Sequence, residues 1–168
     1  TILRSIDPQE TFLNIETKIH NKTQRLFLED SDVVIMYNLK NLSKDITRDL
    51  DKFLKNGGGI IWFQGDNNKN AFHSNFFSKL GFPELVDLIS VEEGFFNTNF
   101  PIERTDLFED IRVRNFNSDL PEVYKYIKIK PNSKYNVHLT VNNDDPLLLE
   151  FSRGSGEIFY FSSLMDLN

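Results

Sequence analysis

Hydrophobic and polar positions along the chain fall into two regimes, with the change near Gly94. Before it, short apolar runs alternate with stretches of helical period. Val33-Val34-Ile35-Met36-Tyr37 is apolar and β-branched throughout, the pattern of a strand buried on both faces. Ser43 then stands where an N-cap belongs, with Asp45 in the following turn, where a helix dipole favours an anion. Ile46, Leu50, Phe53 and Leu54 recur at the spacing of one helix face. Asn56-Gly57-Gly58-Gly59 stops that helix, because glycine takes the left-handed conformation past a helix end at low cost. Ile60-Ile61-Trp62-Phe63 predicts a second buried strand. Phe72, Phe76, Phe77 and Leu80 predict a second helix, closed by Gly81 and Pro83.

Strand, helix, strand and helix in succession predict βαβ units with right-handed crossovers. Phe12 to Thr17 alternates like an outer strand, Ile2-Leu3 reads as the end of a first helix, and Thr23 to Asp32 as a connection. Beyond Leu85 to Val91, itself a strand pattern, Phe95 to Asn117 has no clear period and reads as an irregular excursion. Strand patterns return at Val123 to Ile129, Val137 to Val141 and Leu147 to Phe151. Asn142 to Pro146 is strong turn chemistry and predicts a hairpin between the last two. Arg153-Gly154-Ser155-Gly156 predicts a further turn into Ile158-Phe159-Tyr160-Phe161. The expectation is one α/β domain over 1–168, a three-layer α/β/α flavodoxin-like sandwich. Its sheet would be mostly parallel and extended by antiparallel C-terminal strands, with a βα core over 1–91 and a β-rich extension over 92–168.

Composition narrows the function classes. A chain of 168 residues can bury roughly 70% of its unfolded surface and needs no disulfide or metal staple. Sixteen Phe supply bulk for that core. With 19 basic residues scattered among 25 acidic ones and a net charge of −6, a nucleic-acid backbone is not the expected partner. There is no cysteine, which removes thiol nucleophiles, disulfides and Cys-ligated zinc together. No apolar run reaches the ~20 residues of a membrane span.

Chemistry-bearing residues are sparse. In open α/β sheets ligands bind beyond the carboxyl ends of the strands. Here that places Asn38 after one strand and Gln64, Gly65, Asp66, Asn67 and Asn68 after the next. The second run is polar, contains a glycine and precedes a helix, so its backbone N–H groups suit an anion. A tight turn at Gly65-Asp66 with Asn67 or Asn68 as a helix cap is the commoner use of such residues. Gly57-Gly58-Gly59 follows a helix and opens a strand, the reverse of a phosphate loop. His20, His73 and His138 lack the paired spacing of a metal site, and Glu92-Glu93 and Asp144-Asp145 sit in turns. Ser152, Ser155, Ser162 and Ser163 offer hydroxyls without a nucleophile-elbow motif. Tyr124 and Tyr126 share a strand face, the pattern of a half-exposed sheet or a contact surface. No metal and no cofactor is expected.

Asp32 to Asn38, the helix carrying Leu50 and Phe53-Leu54, and Gly57 to Gly65 together resemble a class I glutamine-amidotransferase-like domain. In active members of that family the strand after the Gly-rich stop delivers a Cys nucleophile. The equivalent position here is near Gln64, and an amide is no nucleophile, so the resemblance implies a scaffold without its standard chemistry. A narrower resemblance runs through Thr105-Asp106-Leu107-Phe108, Val123-Tyr124-Lys125-Tyr126, Asp145-Pro146-Leu147-Leu148, Gly154 to Phe159 and Ser163-Leu164-Met165-Asp166. It is similar to bacterial aerotolerance-regulator-type membrane proteins, whose domain of this kind is held outside the cytoplasm by flanking membrane segments. That resemblance implies a piece of a longer, membrane-anchored chain. The expected function is a non-catalytic interaction or sensing module, with other proteins of a membrane complex as partners. Two alternatives stand beside it: a small-ligand receptor using the 64–68 loop, and a hydrolase or transferase with a replaced nucleophile.

Overall fold

A computed structural model describes residues 7–9, 11–17, 26–39, 42–65, 75–101, 107, 120–130, 132–142 and 144–164. Strand β1 (Val33–Tyr37) leads through helix α1 (Lys44–Lys55) to β2 (Gly59–Gln64), and a short helix α2 (Asn75–Leu80) follows. The rest is strand: β3 (Leu85–Ser90), β4 (Thr98–Asn99), β5 (Lys125–Ile129), β6 (Asn136–Val141), β7 (Pro146–Arg153) and β8 (Gly156–Leu164).

The local signals act as expected around α1. The Ser43 side chain accepts the Ile46 backbone N–H at 3.2 Å, and Ile46, Leu50, Phe53 and Leu54 form its buried stripe. Gly57 takes φ 99° just beyond the helix. Both hairpin turns also form: β6 and β7 pair across 142–145, and Arg153 pairs with Gly156 across Gly154-Ser155.

The sheet runs β1-β2-β8-β7-β6-β4, with β5 joining β8 at Tyr126–Ser163 and β3 joining β5. Only β1–β2 and β2–β8 are parallel among the described pairs, and five other pairs are antiparallel. The sheet is therefore mixed and mainly antiparallel, which overturns the mostly parallel expectation. The three-layer sandwich is overturned with it. Among the described residues eight strands face two helices, and both helices pack on the same face. Register fixes that face. Met36, Trp62, Tyr160 and Leu149 form one cross-strand row, and the α1 stripe with Phe77 and Leu80 of α2 closes over it. The reason lies in β8. It enters beside β2 as a parallel neighbour, and its hairpin to β7 then commits the rest of the sheet to antiparallel pairing, with no further crossover helix among the described residues.

Trp62 sits at the centre of the core, its ring edge-on to Phe77 and Phe82, both at 5.3 Å between centroids. A second cluster of Val123, Tyr126, Leu139, Val141, Leu147 and Leu148, joined by Phe159 and Phe161, lies on the other face toward the β6–β7 side. Two smaller expectations also fail. Residues 12–17 form no strand. Instead the Asp7 carboxylate accepts the backbone N–H groups of Thr11, Phe12 and Leu13, which fixes them as a loop. Tyr126 is buried with its hydroxyl donating to Asp145 at 2.7 Å, so it shares no contact surface with the exposed Tyr124. Ile2-Leu3, Thr23 to Arg25 and Phe72 lie outside the described residues.

Candidate functional site

Because β1 and β2 run parallel as neighbours, their ends bring Asn38 and Gln64-Gly65 to one edge of the sheet. Asn38 takes φ 49°, a left-handed conformation that Asn tolerates better than most residues, and its N–H donates to Phe63 O at 3.3 Å. Its side chain lies against buried Gly65, and a Cβ at position 65 would collide with it. Glycine is required there by that close approach. Gln64 is 0% exposed, and its Oε1 accepts the Trp62 indole N–H at 3.1 Å. Among the described residues its Nε2 has no hydrogen-bond partner, and neither has Asn38 Oδ1. The Tyr160 hydroxyl, across from Trp62, is also buried without one, and burial pushes its pKa up so that it stays a neutral phenol. Asp66, Asn67 and Asn68 lie outside the described residues.

The described part of this site is thus two amides and a glycine. It holds an unused acceptor and an unused donor, buried where a lost hydrogen bond costs about 1–3 kcal/mol each. Such groups can hold a water or a neutral polar group. They cannot attack a carbonyl or shuttle a proton at neutral pH. Two open clefts lie elsewhere. One cleft of about 320 Å³ lies at the opposite end of the parallel strands, among Asp32, Asp49, Lys52, Phe53 and Gly58. Another of about 330 Å³ lies by Ile129, Tyr135, Val137 and Leu149. No His, Asp and Glu side chains converge as metal ligands among the described residues.

One arrangement escaped the sequence. His138 Nε2 lies 2.7 Å from Glu150 Oε2, with the His138 ring stacked on Phe159 at 6.0 Å. The hairpin that carries the pair was legible, but β6 slips register between Val137 and Leu139, and that slip decides what His138 meets. His20 and His73 lie outside the described residues. The acidic pair Asp144-Asp145 divides: Asp144 is exposed at φ 61°, whereas Asp145 receives Tyr126 and ion-pairs with Lys128 at 3.2 Å. Glu92 and Glu93 are solvated, and Ser162 is buried with its hydroxyl donating to Pro146 O at 2.9 Å.

No family model matches the chain, and no curated protein matches it in sequence. Among solved structures it is similar to the cytoplasmic protein STM1381 from Salmonella typhimurium LT2, at 12% identity and a TM-score of 0.61. It is similar also to the cytoplasmic protein STM3548 from Salmonella typhimurium, at 19% identity and a TM-score of 0.62. In each case 82% of this chain is covered, and the chain spans 62% of the other's length. A β-galactosidase from Bacillus circulans sp. alkalophilus matches at 13% identity and a TM-score of 0.54, over 80% of this chain and 20% of its own. These likenesses are of fold. They define a class by fold alone, a mixed-sheet and mostly β unit in place of the expected α/β one, which recurs inside longer chains.

Proposed function

We propose that this domain is a non-catalytic interaction module of a larger bacterial assembly. The carrying observation is Gln64. It stands at the end of β2, where the sequence resemblance would put a nucleophile, and is instead a wholly buried amide tied to Trp62. The recurrence of the fold as 20% of a galactosidase chain supports reading it as a unit that serves a larger protein. Display outside the cytoplasm by membrane segments of the parent chain follows from the sequence resemblance to aerotolerance-regulator-type proteins. A reporter fusion of the parent, scored on either side of the membrane, tests that part.

The absence of cysteine makes the module reading directly testable. In Gln64→Cys the new thiol is the only one, and it stays inert to a thiol-specific reagent until the protein is unfolded. The wild type should turn over neither glutamine nor nitrophenyl esters or glycosides. Turnover above buffer, or rapid labelling of the folded variant, overturns the reading.

A second reading, small-ligand binding at the strand ends, is favoured by the unpartnered Asn38 Oδ1 and Gln64 Nε2. A neutral polyol or sugar at 100-fold its dissociation constant would stabilise the protein by about 2.7 kcal/mol. A thermal-shift series with wild type and Gln64→Met reads it, since binding at this site disappears in the variant.

A further inference from the structure

Strand β5 joins β8 at a single described residue pair, Tyr126–Ser163, and its remaining residues pair with β3. Ile127 and Ile129 therefore pack into the helix-side cluster, which also holds Leu149 of β7. Between the end of β5 and the β6–β7 pair lies the cleft of about 330 Å³. Its walls are apolar. Tyr135 and Val137 are half-buried, and Ile129 and Leu149 are buried beside them. Two contacts fix Tyr135: its ring stands edge-on to Phe151 at 5.3 Å, and its backbone N–H donates to Asn132 O at 3.2 Å. The mouth is polar and carries Lys130, Asn132 and Ser133. An apolar pocket of this size with a few polar groups at one end is the usual form of a small-molecule site.

The mouth also belongs to the basic part of an acidic chain. Lys125 to Lys134 holds four lysines and no Asp or Glu, against a net charge of −6 overall. Lys128 is committed to Asp145 at 3.2 Å. Lys130 meets Glu84 at 3.1 Å, but the two side chains are 66% and 69% exposed. A pair so solvated contributes little, and an ammonium has further protons to donate to a second acceptor.

We propose that this cleft binds a medium-length aliphatic carboxylate, its chain along Val137 and Tyr135 and its carboxylate at Lys130 and Ser133. Volume sets the length. At the ~30 Å³ that a water takes in the liquid, about 330 Å³ holds roughly eleven non-hydrogen atoms, enough for octanoate. The apolar walls favour that chain over a short acid, and the lysine favours it over an amine of equal length. This site is separate from the strand-end amides and does not depend on the module reading.

Titration of the 168-residue chain with octanoate, followed by amide chemical shifts, tests it. Saturable binding should appear with a dissociation constant of about 1 mM or tighter, as suits so small a ligand. The shifts should centre on Ile129, Ser133, Val137 and Leu149. Octylammonium and propanoate should each bind at least about tenfold more weakly. Lys130→Glu should weaken octanoate about tenfold, and Glu84→Gln, which removes the competing carboxylate, should tighten it severalfold. Both positions are exposed, so neither substitution disturbs the core. Four results overturn the proposal: no saturable binding, equal binding of octylammonium or propanoate, shifts centred on another surface, or octanoate affinity unchanged in either variant. Octanoate shifts centred on Asn38 and Gln64 would move the ligand to the strand ends, which also overturns it.

Discussion

Arg153 reaches back 102 residues in sequence to grip Asp51, with Nε at 2.9 Å and a terminal nitrogen at 2.8 Å from the same carboxylate oxygen. Lys55 takes the other oxygen at 2.6 Å. The pair ties the β7–β8 turn to the last turns of α1, and the Lys55 hydrogen bond followed by Arg153 holds the Asp51 pKa below the usual carboxylate value. Folding therefore favours the ionised form. The stability this contributes is full above the unfolded pKa, near 4, and is lost as pH falls through the lower folded value. Asp51→Asn should destabilise by about 1 kcal/mol or less at pH 7, since the pair is partly solvated, and the difference from wild type should shrink as pH falls below about 4. Urea midpoints across that pH range read it.

At Gly156 the turn presses its backbone onto the end of α1. A Cβ there would overlap the carbonyl oxygens of Gly58 and Leu54, neither of which can rotate away. Gly156→Ala should therefore lower stability by about 2–4 kcal/mol, whereas Gly59→Ala, whose Cβ would meet Val33 at an ordinary 3.4 Å, should stay within about 1 kcal/mol of wild type. Equal losses in chemical denaturation would refute the steric account.

Removing the Ser43 cap leaves the Ile46 N–H without its side-chain acceptor. Ser43→Ala should cost about 1 kcal/mol, and Ser43→Asp should retain most of that. The far-UV dichroism of the folded variants should not change, since the cap stabilises α1 without creating it.

Trp62 is the single tryptophan and is buried beside Phe77 and Phe82. Its fluorescence should be blue-shifted when folded and should move red in one step with unfolding. Trp62→Ala should cost about 3–5 kcal/mol, among the largest single losses in the chain. Gln64→Leu, which takes away the indole's acceptor together with the orphaned amide donor, should cost less. A two-step fluorescence transition would show that this core and the rest of the sheet unfold separately.

Much of this was legible because it is local. Ser43, the α1 stripe, Gly57, Gly81 and both hairpin turns each follow from a few adjacent residues, and each stands where expected. The layer count was not. A buried run such as Ile60 to Phe63 reads as covered on both faces, yet Ile61 and Phe63 point to a face that neither described helix covers. Apolar periodicity reports that a side chain avoids water without saying what shields it. Sheet direction was hidden similarly, because it depends on β8 pairing with β2, from Ile158 to Ile60. The strand-end placement of Asn38 and Gln64 followed from topology alone, whereas their unpartnered atoms required side-chain geometry. The His138–Glu150 pair hung on a single-residue slip that composition does not encode.

The position of β8 also governs how the chain is made. The last described strand is a central one, lying between β2 and β7. On a ribosome, β1, α1 and β2 emerge long before the strand that completes their sheet. Their apolar surfaces must wait through nearly a hundred residues of synthesis. Folding of the sheet therefore waits for β8 to emerge, its rate limited by long-range closure. A nascent chain stalled before Gly156 should be recognised as unfolded by chaperones and proteases, however much of its helix content has formed.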